Sequence, residues 1–181
     1  MGEIRDFYPF KLVIGILMSC IERRTELTDE LIQHFGKPDY QSEDFEFNFT
    51  DYYAEEMGSH IRRFFISFED LVAPDTLSDI KIETNRIEEG WAFGGKRKVN
   101  LDPGILSLSR FILATTKDNV HRIPLKKGIF GEVTLIYERH AFRDLPWTYA
   151  DFRSEGNKKA LDEIRKIYKE QLKALGKQGH S

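Results

Sequence analysis

At 181 residues the chain has the length of one domain, and 40% hydrophobic with 13% aromatic residues makes it globular rather than disordered. Its one cysteine, Cys20, excludes an internal disulfide, and no Cys/His cluster at zinc spacing exists, which points to the reducing cytosol. The apolar run Leu12 to Met18 is far short of the roughly 20 residues of a spanning helix, and Asp6 stands where myristoylation of a Met-Gly start needs Ser or Thr, so a cytoplasmic protein without a membrane is expected.

Phe10 to Leu17 is apolar on both faces, as in a central strand. Thr25 to Phe35 sets Leu27, Leu31, Ile32 and Phe35 on one helical face and stops at Gly36 before Pro38. Asp44 to Thr50 alternates, with Phe45, Phe47 and Phe49 on one side, and predicts a half-buried strand. Tyr52 to Gly58 reads as a loop or a short helical turn, and Arg62 to Phe68 as another strand. A second helix starts after Pro74 and runs to about Glu89, with Leu77, Ile80, Thr84, Ile87 and Trp91 inward. Arg97 to Leu101 is the next strand, completing the order of a split βαβ unit.

A β-meander follows, with strands over Phe111–Thr116 and Ile129–Tyr137 and turns at Lys117-Asp118-Asn119 and Lys126-Lys127-Gly128. The last helix, within Ser154 to Leu175, aligns Leu161, Ile164, Ile167, Tyr168, Leu172 and Leu175 and must dock on the sheet; residues 177–181 should fray. The expected fold is therefore a single α+β domain over residues 1–176: a ferredoxin-like βαββαβ first part, an antiparallel β-meander and a C-terminal helix packed on the sheet.

Charge is uneven along the chain. Glu26 to Gly90 holds 17 acidic against 5 basic residues, whereas Lys96 to Lys127 holds 8 basic against 2 acidic. Such asymmetry suits an anionic ligand on the meander, two halves that attract one another or a second copy, or merely two solvated faces. The stretch Gly90 to Arg97 matches a phosphate-binding loop up to its lysine, but Arg97 replaces the Ser or Thr that holds magnesium, and the stretch leaves a helix to enter a strand. It is a glycine-rich connection, with no P-loop. Thr116-Lys117-Asp118 lacks the spacing of a guanine-reading motif.

The polar residues that invite a functional reading lie on and around the meander. With a two-residue turn at Lys127-Gly128, His121 would oppose Thr134 and sit diagonal to Glu132, an acid/base arrangement. A register shifted by one residue would instead set Arg122 opposite Glu132 as an ordinary ion pair. Asn100 and Asp102 point one way at a strand end; Asp102 is an acid/base candidate, though Asp102-Pro103-Gly104 is also a turn signal. Lys117, Arg122 and Arg153 would neutralise a ligand, Trp147 or Tyr149 would stack on it, and Asp151 and Arg153 alternatively brace the final helix. No metal signature, G-x-S-x-G elbow or H-E-x-x-H motif is present, and the residues leave any cofactor unknown.

The stretches YPFKLVIGILMS, YYAEEMG, SFEDL, TNRIE, VNLDPGIL, TTKDNVHRI, GEVTLIYE and WTYADFRS together resemble a microbial family of similar length, domain of unknown function 4416, over nearly the whole chain. The resemblance implies no activity. Where the family has a Tyr-Pro-Asp-Tyr-Arg-like run, this chain has Tyr149-Ala150-Asp151-Phe152-Arg153, which leaves Tyr149, Asp151 and Arg153 in place. The residues thus lead to two expectations. One is a small anionic, phosphorylated or nucleotide-like ligand bound on the basic meander, with His121 and Glu132 or Asp102 as acid/base groups. The other is a non-enzymatic module that binds RNA or protein on the sheet surface. A homo-oligomer joining acidic to basic faces is a third.

Overall fold

The computed structural model describes residues 2–49, 54–58 and 60–176. The expected fraying of residues 177–181 lies outside them, as do Thr50 and the Tyr52-Tyr53 pair.

The first strand, β1 (Phe10–Met18), is buried along nearly its whole length, as a run apolar on both faces requires. Helix α1 (Arg24–Phe35) follows and ends at Gly36, whose φ of 86° suits a residue without a side chain. Then come β2 (Pro38–Gln41), β3 (Phe45–Glu46), the short α2 (Ala54–Met57), β4 (Arg62–Val72) and α3 (Leu77–Gly90). The predicted strand Asp44–Thr50 thus shrinks to two paired residues; beyond them Phe47 and Phe49 pack edge to face at 5.7 Å.

After α3 the chain makes a hairpin, β5 (Ala92–Phe93) with β6 (Lys96–Arg97), through Gly94 and Gly95 at φ 59° and 75°. A two-residue turn with both φ positive favours such a glycine pair, which is the use of the stretch that mimics a phosphate loop. The meander comprises β7 (Val99–Leu106), β8 (Arg110–Thr115), β9 (Ile123–Pro124), β10 (Phe130–Glu138) and β11 (Ala141–Asp144), and α4 (Glu155–Ala174) closes the fold. Ser154 caps α4 by accepting from the Asn157 N–H.

The main path of the sheet runs β11-β10-β8-β7-β1-β4-β2 with antiparallel pairing throughout. Its β7-β1-β4-β2 portion has the strand order of the expected ferredoxin-like unit, and β8, β10 and β11 extend it past β7. The alternation of β1 and β4 divides the core into two. Leu12, Ile14, Ile16, Phe64, Ile66 and Phe68 meet α1 and α3 on one face; Val13 and Phe65 meet Leu161, Ile164, Tyr168 and Leu172 of α4 on the other. Both faces of the central strands β1 and β4 are therefore covered by helices.

Asp102-Pro103-Gly104 is not a turn. It runs inside β7, with Asp102, Pro103 and Gly104 opposite Gly15, Ile14 and Val13 of β1. Pairing with β1 overrides the local turn preference, and Gly104 is needed because a Cβ there would lie 2.5 Å from the Phe111 ring and 2.7 Å from the Ile112 carbonyl. The acidic and basic halves of the sequence neutralise one another within the chain: Arg97 pairs with Glu56 at 2.7 Å and Glu88 at 3.0 Å, and Lys126 and Lys127 reach Asp79 at 2.6 and 2.9 Å. Among the described residues no helix is long and apolar enough to cross a membrane.

Candidate functional site

The sheet splits between β7 and β8. The Ser107 N–H donates to the Arg110 carbonyl at 2.9 Å, and in an antiparallel ladder such bonded pairs recur at every second residue. Ile105 and Ile112 form the next bonded position, and Pro103 with Ala114 the one after. A proline has no N–H to give, and the recorded pairing stops at Gly104 and Leu113. Two residues further on, Leu101 has its amide met by α3 instead of a strand: its N–H donates to Glu88 Oε1 at 2.7 Å and its carbonyl accepts from Lys81 Nζ at 2.8 Å.

The parted strands border a cavity of about 710 Å³, within the usual range of ligand pockets. Asn100 and Asp102 of β7 form one bank, and Leu113 to Lys117 the other. Lys81, Asn85 and Glu88 of α3 line it too, and Phe47, Phe49, Tyr149 and Phe152 add aromatic surface.

A chain of charged groups runs through the wall. Arg97 spans Glu56, Glu88 and the Asn100 side-chain oxygen; the Asn100 amide donates to Asp102 at 2.8 Å; Asp102 accepts from Arg63 at 3.1 Å; and Arg63 also pairs with Asp151. Gly15 makes this route possible. Arg63 stands opposite Leu17 on β1 and crosses that strand above Gly15, where a Cβ would come within 2.8 Å of its Nη1. Arg63, Lys81 and Glu88 are only 2%, 8% and 5% exposed, so their charges rely on their partners.

Burial works against the Arg63 charge, but Asp151 and Asp102 outweigh it and hold its pKa above the ordinary arginine value. The hydrogen bond that Arg97 donates to Glu56 leads the rise at Arg97, whose guanidinium in turn holds Glu56 below the usual glutamate value. Burial pushes the Glu88 carboxyl upward despite Lys81, the Leu101 N–H and Arg97.

A second cluster backs the opposite wall. Ile123 pairs with Gly131 and Pro124 with Phe130, and the Leu125 N–H reaches the Ile129 carbonyl, so the turn is Lys126-Lys127-Gly128 and Arg122 falls opposite Glu132. That is the shifted register. Yet His121, which precedes β9, also reaches Glu132: its Nε2 lies 2.9 Å from the same Oε2 that accepts from Arg122 Nε at 2.8 Å. The rest of the Arg122 guanidinium donates to the Lys117 carbonyl at 2.8 Å and to the Tyr149 hydroxyl at 2.5 Å. Burial opposes the Arg122 charge, and Glu132 and Tyr149 more than offset it, raising its pKa. Trp147 stacks on His121 with centroids 5.1 Å apart and donates to the Val133 carbonyl at 2.9 Å.

Six of the residues singled out from the sequence line the cavity: Asn100, Asp102, Lys117, Glu132, Tyr149 and Asp151. His121, Arg122 and Trp147 stand behind Glu132 and Tyr149. Thr134 is wholly buried, its hydroxyl 3.3 Å from the Glu132 carbonyl and its own carbonyl accepting from Thr148. Arg153 is spent on the Thr148 and Pro146 carbonyls at 2.8 and 3.0 Å, bracing the turn before α4 rather than forming the wall. Sequence reasoning missed Arg63, Lys81, Glu88 and Arg97. Two signals were there: Arg63 directly precedes the apolar run Phe64-Phe65-Ile66 of its strand, and Lys81 and Glu88, seven apart, share a helix stripe with Thr84. Among the described residues no group of three or more His, Cys, Asp or Glu is placed to hold a metal.

No curated protein and no solved structure gives a significant match to the chain. One family model does, over residues 8–168, a span that runs from the approach to β1 into α4 and takes in both banks of the cavity, the Arg63 chain and the Glu132 cluster. On that coverage the chain belongs to the family described as domain of unknown function DUF4416.

Proposed function

We propose that the chain is a small-molecule-binding domain that receives a polar, nucleotide-like ligand in the cavity between β7 and β8. The observation that carries this reading is the wall itself. A space that only had to be filled would be filled with apolar side chains, because moving a charge out of water costs several kcal/mol per ion. Instead, Arg63, Lys81 and Glu88 are nearly fully buried there in fixed ion pairs, an arrangement suited to orienting a polar guest.

The wall also limits the guest's charge. Arg63, Lys81 and Arg97 are committed to wall carboxylates, so a ligand's hydroxyl or amino groups suit Asp102 and Glu132. A phosphate suits the mouth, where Lys117 is exposed. Tyr149 accepts from Arg122 and so keeps its own proton for the ligand.

Thermal-shift measurements against nucleosides, nucleotides, phosphorylated sugars and amino acids test the reading. A ligand at a hundred times its Kd adds about 2.7 kcal/mol, or roughly 5–11 °C for a chain of this size. Tyr149→Ala, at a position 43% exposed, should fold normally and lose the shift. The reading fails if no compound raises the melting temperature, or if every shift survives in both Tyr149→Ala and Asp102→Asn.

A further inference from the structure

We infer that the strand edge left open by Pro103 reads the hydrogen-bonding edge of a nucleobase, with a base donor on the Ala114 carbonyl and an adjacent base acceptor on the Thr116 N–H. This rests on the cavity being a small-molecule site and adds the class of ligand and the means of choosing it.

Strand alternation sets the direction of the backbone groups on β8. Arg110 and Ile112 turn their amides toward β7, where Arg110 accepts from Ser107 and Ile112 stands opposite Ile105. Successive residues of a strand point their amides to opposite sides, so Ala114 faces β7 as well and Thr116 continues that side. The β7 residue opposite Ala114 in this register is Pro103, which cannot donate to the Ala114 carbonyl. Further along, β7 turns its Leu101 amide to Lys81 and Glu88 rather than to Thr116. Ala114, Thr115 and Thr116 all line the cavity. The edge thus turns toward β7 an acceptor that Pro103 cannot meet and, two residues on, just beyond β8, a donor whose β7 counterpart Leu101 is engaged by α3.

A nucleobase matches that pattern. Adenine, guanine and cytosine each carry a donor next to an acceptor on the edge used for base pairing. Their flat faces need aromatic or apolar cover, worth roughly 1–3 kcal/mol per stacked base, and Phe47, Phe49 and Tyr149 lie in the walls. The sugar then falls among polar side chains such as Asn100 and Asp102. An extended peptide is the other usual occupant of an open strand edge. The aromatic walls and the bounded volume of about 710 Å³ favour the base.

Calorimetric titration of the full chain with adenosine, guanosine and cytidine, each beside an analogue methylated on the pairing edge (N6,N6-dimethyladenosine, 1-methylguanosine, N4,N4-dimethylcytidine), tests this. So does Pro103→Ala, which restores a backbone N–H opposite Ala114 and lets the ladder close. At least one nucleoside should bind, its edge-blocked analogue should bind at least tenfold more weakly, and Pro103→Ala should weaken the parent nucleoside by a similar factor. Equal binding of a nucleoside and its blocked analogue would overturn the inference while leaving the cavity a ligand site. Tyr149-dependent binding of some other compound class, with no nucleoside bound, would do the same. Failure of every compound removes both readings. Should Pro103→Ala not fold, the analogue comparison decides alone.

Discussion

Arg63→Met is the sharpest test of the charged wall. The Arg63 side chain is 3% exposed, and it bridges Asp151 at 8% and Asp102 at 24%. Methionine keeps part of the volume but removes the counterion, leaving the Asp151 carboxylate buried beside the aromatic rings of Phe65 and Phe152, which lie 5.6 and 5.2 Å from the guanidinium carbon. Breaking a buried pair from one side costs about 3–5 kcal/mol, which in a chain of this length lowers the melting temperature by roughly 6–20 °C. Urea unfolding followed by far-UV circular dichroism should show the midpoint falling with an unchanged slope. The double variant Arg63→Met/Asp151→Asn should recover about 1–3 kcal/mol of the loss, the coupling expected of residues in contact. A single variant within about 1 kcal/mol of wild type would refute the reasoning, as would a double variant no more stable than the single.

Three further outcomes follow from other parts of the fold. Glu88 has its folded pKa raised above the ordinary 4.5 by burial, so the fold favours the protonated carboxyl. Its contribution is fully present below that ordinary value and is lost as pH rises through the folded one. The unfolding free energy of wild type minus that of Glu88→Gln should therefore fall as pH is raised through this window, and a flat difference would contradict the shift. Gly104→Ala would drive a Cβ into the Phe111 ring and the Ile112 carbonyl; chemical denaturation should show a loss of about 3 kcal/mol, at the upper end for overpacking, because the backbone oxygen cannot yield. Ser154→Ala removes the cap on α4, and denaturant titration should register a cost of about 1 kcal/mol, with no change in any ligand's affinity.

The long elements were legible because period and burial coincide in them: β1 is apolar from Leu12 to Met18, and α4 buries Leu161, Ile164, Tyr168 and Leu172 in one stripe. The order of strands and helices up to β7 then suggested the ferredoxin-like core, although its second strand is β2 (Pro38–Gln41) and the expected strand Asp44–Thr50 supplies only the short β3 beside β4. Where local chemistry and long-range pairing disagree, reading failed. Asp-Pro-Gly is a turn by preference, yet β1 holds it extended through Ile14 and Gly15, which lie nearly ninety residues away in the chain. The site divides in the same manner. Asn100, Asp102, Glu132, Tyr149 and Asp151 were noticed because polar residues between short apolar runs stand out. Arg63, Lys81 and Glu88 belong to a strand and a helix where charges are normally solvated, and only the parted sheet, together with the small Gly15, turns them inward.

The seam at Gly104 also bears on how the molecule opens. Two hydrogen-bonded rafts, β2-β4-β1-β7 on one side and β8-β10-β11 on the other, share only the short ladder from Gly104 to Leu106. Two helices span both: α4 packs with Val13 and Phe65 of the first raft and with Leu113, Leu135 and Phe142 of the second, and α3 sets Leu77 and Ile82 against Ile105 of the first and Ile112 and Ala114 of the second. The second raft is thus held by helix packing and few rungs, so amide protons of β10 and β11 should exchange through a sub-global unfolding that β1 does not share. The C-terminal helix and α3 are in this sense two straps across two cooperative units.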